Sequence, residues 1–415
     1  MADVRSGTGR DKTAPMASRA CWVVFISFFL LGVVSSVALN KAAPVLTIIG
    51  DDFAMDLSTV GWINSCFSVM GMLIAFPAAL FIRKLGFRGC IAVSGSAVVI
   101  GGLLGLFAPS APVFLAARVI EGLGLGLNAV VCPAAVVRLF EPRRRGLPMG
   151  VWATWIGAGG IIAYVLAPAM TAAFGWRSLW VLTAVLGAAA MAFALIVFCF
   201  PQRQEDEATA AAAQAGVRAD MRSIVFVSAS FLIWNFVLVG AVSSFYPTYL
   251  QDAASLDPAT AALVSAAPNV VSMFAAPIAG PIVAKRILYK PVTLVFYVIA
   301  LAVFGLVTFM AQPTVLSIGV SVAVVGITAG VVPTMVFSLI PIYARTPQKA
   351  DFGMALLAVF QNGGMMLGPA IFGATVAATS WADAGLLLLI PIMLVGLVFL
   401  LLMANPKKIL GEAGE

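Results

Sequence analysis

Histidine is absent from this 415-residue chain, and charged residues make up only 10% of it. Without histidine there is no Ser-His-Asp chemistry, no imidazole metal ligand and no imidazole proton relay. Carboxylates are too sparse to cluster at one face, so an enzyme is excluded and no cofactor is implied. Cysteine is scarce as well. Cys21, Cys66, Cys90, Cys132 and Cys199 are odd in number and lie in or beside apolar segments. That setting fits packing and excludes a disulfide framework or a metal site.

What remains is apolar: 62% of the residues are hydrophobic, against about 45–50% in an ordinary soluble domain. The chain therefore reads as an all-α integral membrane protein. Residues 1–19 are polar and basic, and the apolar run that follows is too long for the core of a cleaved signal peptide. Breaks at charge and at Pro/Gly clusters give twelve spans, near 20–48, 58–82, 89–108, 112–138, 147–174, 178–200, 222–250, 259–284, 291–311, 314–343, 352–378 and 383–403. All Lys and Arg except Lys41, Arg118 and Arg177 fall in the first tail and the loops on its side, while Asp51, Asp252 and Asp383 fall in the opposite loops. By the positive-inside rule both termini are expected in the cytoplasm. The +7 net charge thus follows from topology and does not imply nucleic acid.

The polar stretch from Pro201 divides the spans into six and six. The expected organisation is a tail at 1–19, a first six-helix half at 20–200, a linker at 201–221, a second half at 222–403 and a tail at 404–415. "GGIIAYVLAP" from Gly159 is echoed by "GGMMLGP" from Gly363, a weak internal repeat of the kind that two-half transporters carry.

Several motifs then point to one family. "AALFIRKLGFR" between spans 2 and 3 resembles the signature loop of the major facilitator superfamily: Lys84, Gly86 and Arg88 fit, but Ala79 replaces its glycine and Arg83 its Asp. "RVIEGLGLG" in span 4 matches the family's Arg-then-glycines motif at Arg118, Gly122, Gly124 and Gly126. Ala167-Pro168 is a degenerate form of the span 5 Gly-Pro motif, and "GWR" opens span 6. The resemblance implies twelve helices in two pseudo-symmetric halves and a secondary transporter of the inner membrane working by alternating access. It also implies a cytoplasmic latch at Arg83, Lys84, Gly86 and Arg88, altered here because a base stands where the acid should be. "LNKAAPVL" followed by "VGWINSCF" is most similar to cyanate-permease-like carriers, which implies a small anionic solute, organic or inorganic.

The residues themselves single out Lys41. A lysine at the middle of a span costs roughly 2.5–3.5 kcal/mol on insertion scales. Helical rise puts it about 29 Å from Trp22, where it either snorkels to the outer surface or lines a cavity at a helix break marked by Asn40 and Pro44. Arg118 lies at a similar depth, and Arg118, Glu121, Leu125, Asn128 and Cys132 share one helical face. If Arg118 and Glu121 neutralise each other, Lys41 is left unbalanced; either way the net sign is positive and favours an anion. Glu121 is the only carboxylate within a span and so the obvious proton carrier for a symporter. Weaker candidates for substrate contact are Asn40, Asn128, Trp155, Tyr164, Asn235, Tyr246, Asn269, Gln361 and Asn362. The alternative is a proton-coupled exporter of lipophilic or cationic drugs, favoured by Met- and Phe-rich spans and opposed by Lys41. No feature calls for a partner chain, and a monomer is expected.

Overall fold

The computed structural model describes residues 18–75, 77–140, 146–198, 220–284, 289–345 and 347–406. The side chain of Arg83, residues 199–219 and the terminal residues 1–17 and 407–415 lie outside the described residues, and with them most of both expected tails and of the linker.

Among the described residues, eleven helices are long and apolar enough to cross a membrane. They are α1 (Arg19–Asp52), α2 (Leu57–Ile74), α3 (Lys84–Leu106), α4 (Ala111–Val136), α5 (Leu147–Phe174), α6 (Ser178–Val197), α7 (Met221–Asp252), α8 (Pro258–Ala276), α10 (Val315–Ala344), α11 (Phe352–Ala378) and α12 (Trp381–Leu402). The remaining expected span, α9 (Lys290–Leu306), is a shorter apolar helix. Phe174, Ile196, Val185 and Leu316 stand exposed on the outside of the bundle, as side chains facing lipid do. Pro77 ends the second span earlier than the sequence suggests. The helix from Trp62 stops at Ile74, and a new one from Ala78 runs on into α3 through Gly86. Gly86 has φ of 65°, a left-handed conformation that a side chain would strain.

α1 and α7 are central: 72% of the most apolar window of each is buried, against 28% in α5 and α12. Both are interrupted. In α1 the helix from Ser18 ends at Asn40, and a 3-10 turn Ala43–Val45 intervenes before Leu46. Pro44, which has no N–H to give the preceding turn, accounts for the break. In α7 the π-helical segment Phe236–Ser243 precedes the helix from Ser244. Pro247 leaves the Ser243 carbonyl, four residues back, without its helical donor. The Tyr164 hydroxyl of α5 donates to that carbonyl at 2.5 Å, so a backbone vacancy in α7 is filled from α5.

The acidic loops gather at one end of the bundle, and corresponding bonds hold that end in each set of six helices. Trp176, which precedes α6, donates to Asp52 at the end of α1 over 3.3 Å, and Trp381, which opens α12, donates to Asp252 at the end of α7 over 2.6 Å. In the first set the Arg177 guanidinium also reaches Asp52 at 2.7 Å. Asp56, in the same set of loops, caps the start of α2: the hydroxyls of Thr59 and Ser58 hold its carboxyl below the usual range.

The two sets meet along α2 with α11 and along α5 with α8, and glycine permits the approach. A side chain at Gly61 would enter the Pro369 carbonyl, and one at Gly160 would lie 3.1 Å from the Asn269 amide. The Ala370 N–H donates to Ser65 across the first seam at 3.2 Å. Ala43, Tyr164 and Ala266 pack together at the second.

Candidate functional site

The three charged side chains buried among the described residues form one cluster. Glu121 of α4 divides its carboxylate: Oε1 accepts from the Lys41 amine at 2.6 Å and Oε2 from the Arg118 guanidinium at 2.5 Å. Lys41 also donates to the Thr183 hydroxyl of α6 at 2.7 Å and sits over the Trp180 ring at 4.1 Å. Arg118 spends its other donors on backbone. It reaches the carbonyls of Ala38 at 2.7 Å and Leu39 at 3.2 Å, and that of Ile63 in α2 at 3.2 Å. Ala38 and Leu39 lie in the last turn of the broken helix, so Arg118 satisfies carbonyls that such an end leaves open. The break in α1 and the charge cluster are therefore one device: the arginine holds the break, and the glutamate holds the arginine. All three residues have zero exposure.

Two expectations change as a result. Lys41 does not snorkel, because its amine turns inward toward α4 and α6. Nor is it the unbalanced charge that a self-neutralising Arg118–Glu121 pair would leave, because one carboxylate serves both cations. The polar face of α4 exists as its spacing suggested, but it is packed on α1. Below Arg118, the Asn128 amide donates to Ser35 at 2.8 Å and to the Leu31 carbonyl at 3.4 Å.

A separate small cavity lies between the two sets. It is lined by Leu39, Asn40, Ala43, Asn64, Ser68, Val239, Ser243, Ser244, Met365 and Pro369, drawn from α1, α2, α7 and α11. Its free volume of about 10 Å³ is at the threshold for one water. Of the residues singled out from the sequence, only Asn40 lines it; its amide nitrogen is tied to the Ser36 carbonyl at 2.9 Å. Asn64, Ser68, Ser243 and Ser244 were missed, although the i, i+4 pair in "NSCFS" and the Ser-Ser four residues before Pro247 and Thr248 were visible signals.

The other candidates are spread out. Asn235 bonds within its own helix, to the Phe231 carbonyl at 2.8 Å. Tyr246 stacks on Tyr249 in an aromatic cluster with Phe309 and Trp381 at the acidic end. Trp155 stacks on Trp152 at 4.6 Å. Asn269 faces Gly160 across the α5–α8 seam. Asn362 is buried against Gly71 of α2, while Gln361 is only partly buried. Lys84 and Arg88 are exposed on either side of the Gly86 turn.

Known proteins place this architecture. The uncharacterized MFS-type transporter YcnB of Bacillus subtilis (strain 168) is 29% identical over 129 residues, 31% of this chain but only 27% of that protein. Two further uncharacterized MFS-type transporters match over 35% and 28% of their own lengths, so the chain spans about a third or less of these relatives. The hexuronate transporter of the same Bacillus strain is 25% identical over 271 residues, 60% of this chain and 61% of that one. Among solved structures, the human organic anion transporter MFSD10 superposes with a TM-score of 0.68 at 15% identity, over 93% of this chain and 100% of that one. That likeness shows the major facilitator fold. The sequence profile of the Major Facilitator Superfamily matches residues 24–350, and the chain belongs to that superfamily.

Proposed function

We propose that this protein is a secondary transporter of the bacterial inner membrane, with both termini cytoplasmic, that moves a small anionic solute by alternating access of two six-helix halves. The supporting observation is the Lys41–Glu121–Arg118 cluster, which carries one net positive charge in a fully buried setting one residue from the cavity-lining Asn40. A charge there is offset when an anion enters the cavity. The hexuronate transporter, 25% identical over most of its length, carries a solute of that class by its name.

In this conformation the cationic groups act on the cavity through space, and direct contact falls to Asn40, Asn64, Ser68, Ser243 and Ser244. Glu121 gives the reading its coupling step. A proton on its carboxylate leaves two cations facing one another, and a bound anion relieves that excess, so proton and anion bind better together than apart. The drug-exporter alternative is opposed by the net positive charge of the buried cluster, which disfavours a cationic solute.

Uptake into proteoliposomes tests the proposal. D-glucuronate should accumulate under an inwardly directed proton gradient, and tetraphenylphosphonium should not. Lys41→Met should reduce D-glucuronate uptake at least tenfold. Equal uptake by the variant and the wild type would refute the role of the cluster, and transport of the cation alone would refute the substrate class.

A further inference from the structure

The three charged side chains of the cluster have their polar atoms bonded, whereas several at the seam between α2 and α11 do not. The Asn64 side-chain oxygen and the Ser68 hydroxyl have no hydrogen-bond partner, and neither does the Asn362 side-chain oxygen. Asn64 and Ser68 are 6% and 1% exposed and both line the cavity. They stand four residues apart on one face of α2. Asn362, one turn from the cavity residue Met365, lies opposite on α11, with its oxygen against Gly71. A buried polar group without a partner costs about 1–3 kcal/mol, and three at one seam form a concentration of unmet hydrogen-bonding capacity. Other unpartnered buried atoms include the indole nitrogen of Trp180 and, within the second set, that of Trp234 beside the unpartnered hydroxyl of Tyr297, but none of these lines the cavity.

A carboxylate only accepts hydrogen bonds. It suits the positive cluster but cannot satisfy an amide oxygen. A hydroxyl both donates and accepts, and so matches Asn64 whichever way its amide is turned, and Ser68 as well. We propose that Asn64 and Ser68 form a hydroxyl-reading subsite, with Asn362 farther along the same seam against Gly71, and that the solute is a hydroxylated carboxylate of the sugar-acid type. Its charge is balanced from the α1–α4 side and its hydroxyls are read at the α2–α11 seam. This rests on the anion reading above and sharpens it. The same seam closes the two sets of helices at the acidic end, so a solute held there engages both sets at once. The cavity as it stands admits no more than a water, and the solute would enter as the seam parts.

Three probes of similar size separate the parts of the claim: D-glucuronate, hexanoate and D-glucose, each titrated against the full chain in detergent by thermal stabilisation. The wild type should bind D-glucuronate at least tenfold more tightly than either of the others. Asn64→Leu should bring D-glucuronate and hexanoate to within about threefold of each other, with hexanoate affinity unchanged. It should also raise the melting temperature without ligand, since it removes an unpartnered buried amide. Ser68→Ala should act in the same direction and carries the test if the larger change prevents folding. Hexanoate binding as tightly as D-glucuronate overturns the hydroxyl subsite and leaves the anion reading intact; the seam atoms would then be satisfied by water alone. Glucose binding as tightly as D-glucuronate overturns the anion reading. Binding of none of the three overturns both.

Discussion

Removing Glu121 should harm the protein more than removing either cation it holds. In Glu121→Gln, Lys41 and Arg118 keep their charges in a site with zero exposure and lose the carboxylate that bridges them at 2.6 and 2.5 Å. Breaking a buried ion pair costs about 3–5 kcal/mol, and here two pairs break together and leave like charges behind. In Lys41→Met the Arg118–Glu121 pair survives and stays neutral. The polar bonds lost are one to Glu121 and one to Thr183, whose hydroxyl keeps its own bonds to the Leu179 and Trp180 carbonyls, while the methionine keeps an apolar contact where the amine sat over the Trp180 ring. Two such losses, set against a well-packed apolar replacement, come to about 1–2 kcal/mol. Arg118→Met falls between: it leaves Lys41 and Glu121 paired but strips the Ala38, Leu39 and Ile63 carbonyls. The sharper test is a double-mutant cycle. In the wild-type background Lys41→Met removes a paired charge and destabilises; in the Glu121→Gln background it removes one of two opposed cations and should stabilise. Unfolding of the purified variants in one detergent at one pH, followed by circular dichroism, gives the order and the sign. A Lys41→Met that destabilises both backgrounds equally would show that Glu121 does not bridge the cations.

Two further outcomes follow from other parts of the molecule. A cysteine at position 408 should be labelled by an impermeant thiol reagent only after the membrane is opened, whereas cysteines at 51 and 383 should be labelled in intact cells; labelling of 408 from outside would reverse the topology. Gly122→Ala should fail to give a folded protein or lower its melting temperature by many degrees, because the added methyl would enter the Phe67 carbonyl of α2, whereas Gly150→Ala, with nothing near the new atom, should be silent.

Much of the fold was legible because a membrane imposes simple rules. Span number, order and the segregation of Asp51, Asp252 and Asp383 from the basic loops need only hydropathy and charge. The end of the second span was misjudged because Pro77 breaks the helix inside an apolar run, where hydropathy sees no change. The charge cluster was half legible. Spacing put Arg118 and Glu121 on one face, but the claim of Lys41 on the same carboxylate depends on how α1 and α4 cross, which no local pattern encodes. Arg118 had a further use, the carbonyls of a broken α1, that was hinted at by Pro44 but requires the partner helix to be known. Asn64 and Ser68 were passed over because neutral polar residues in a span are common and usually bond within the bundle. What marks these two is the absence of a partner, a property of the packed structure alone.

The two sets of helices share a plan and divide the work unequally. Asp52 with Trp176 and Asp252 with Trp381 fix the acidic ends of α1 and α7 in the same way, and both central helices are interrupted next to the cavity. The interruptions differ in what supports them. In α1, an ion pair to Lys41 and two carbonyl bonds to Ala38 and Leu39 from α4 hold the helix end at the break, and burial makes such contacts costly to break; in α7 a π-helical segment and a single tyrosine bond from α5 support the interruption. A π-bulge is frequent at functional sites, and one neutral hydrogen bond contributes only about 0.5–1.5 kcal/mol. The Tyr164–Ser243 bond also crosses between the two sets, so any parting of α5 from α7 must break it. Relative motion is therefore expected to be absorbed in α7, with the α1 break held as a fixed electrostatic post. On this reading the charge lies where the backbone is held, and the neutral hydrogen-bonding groups lie on the surfaces that alternating access would part.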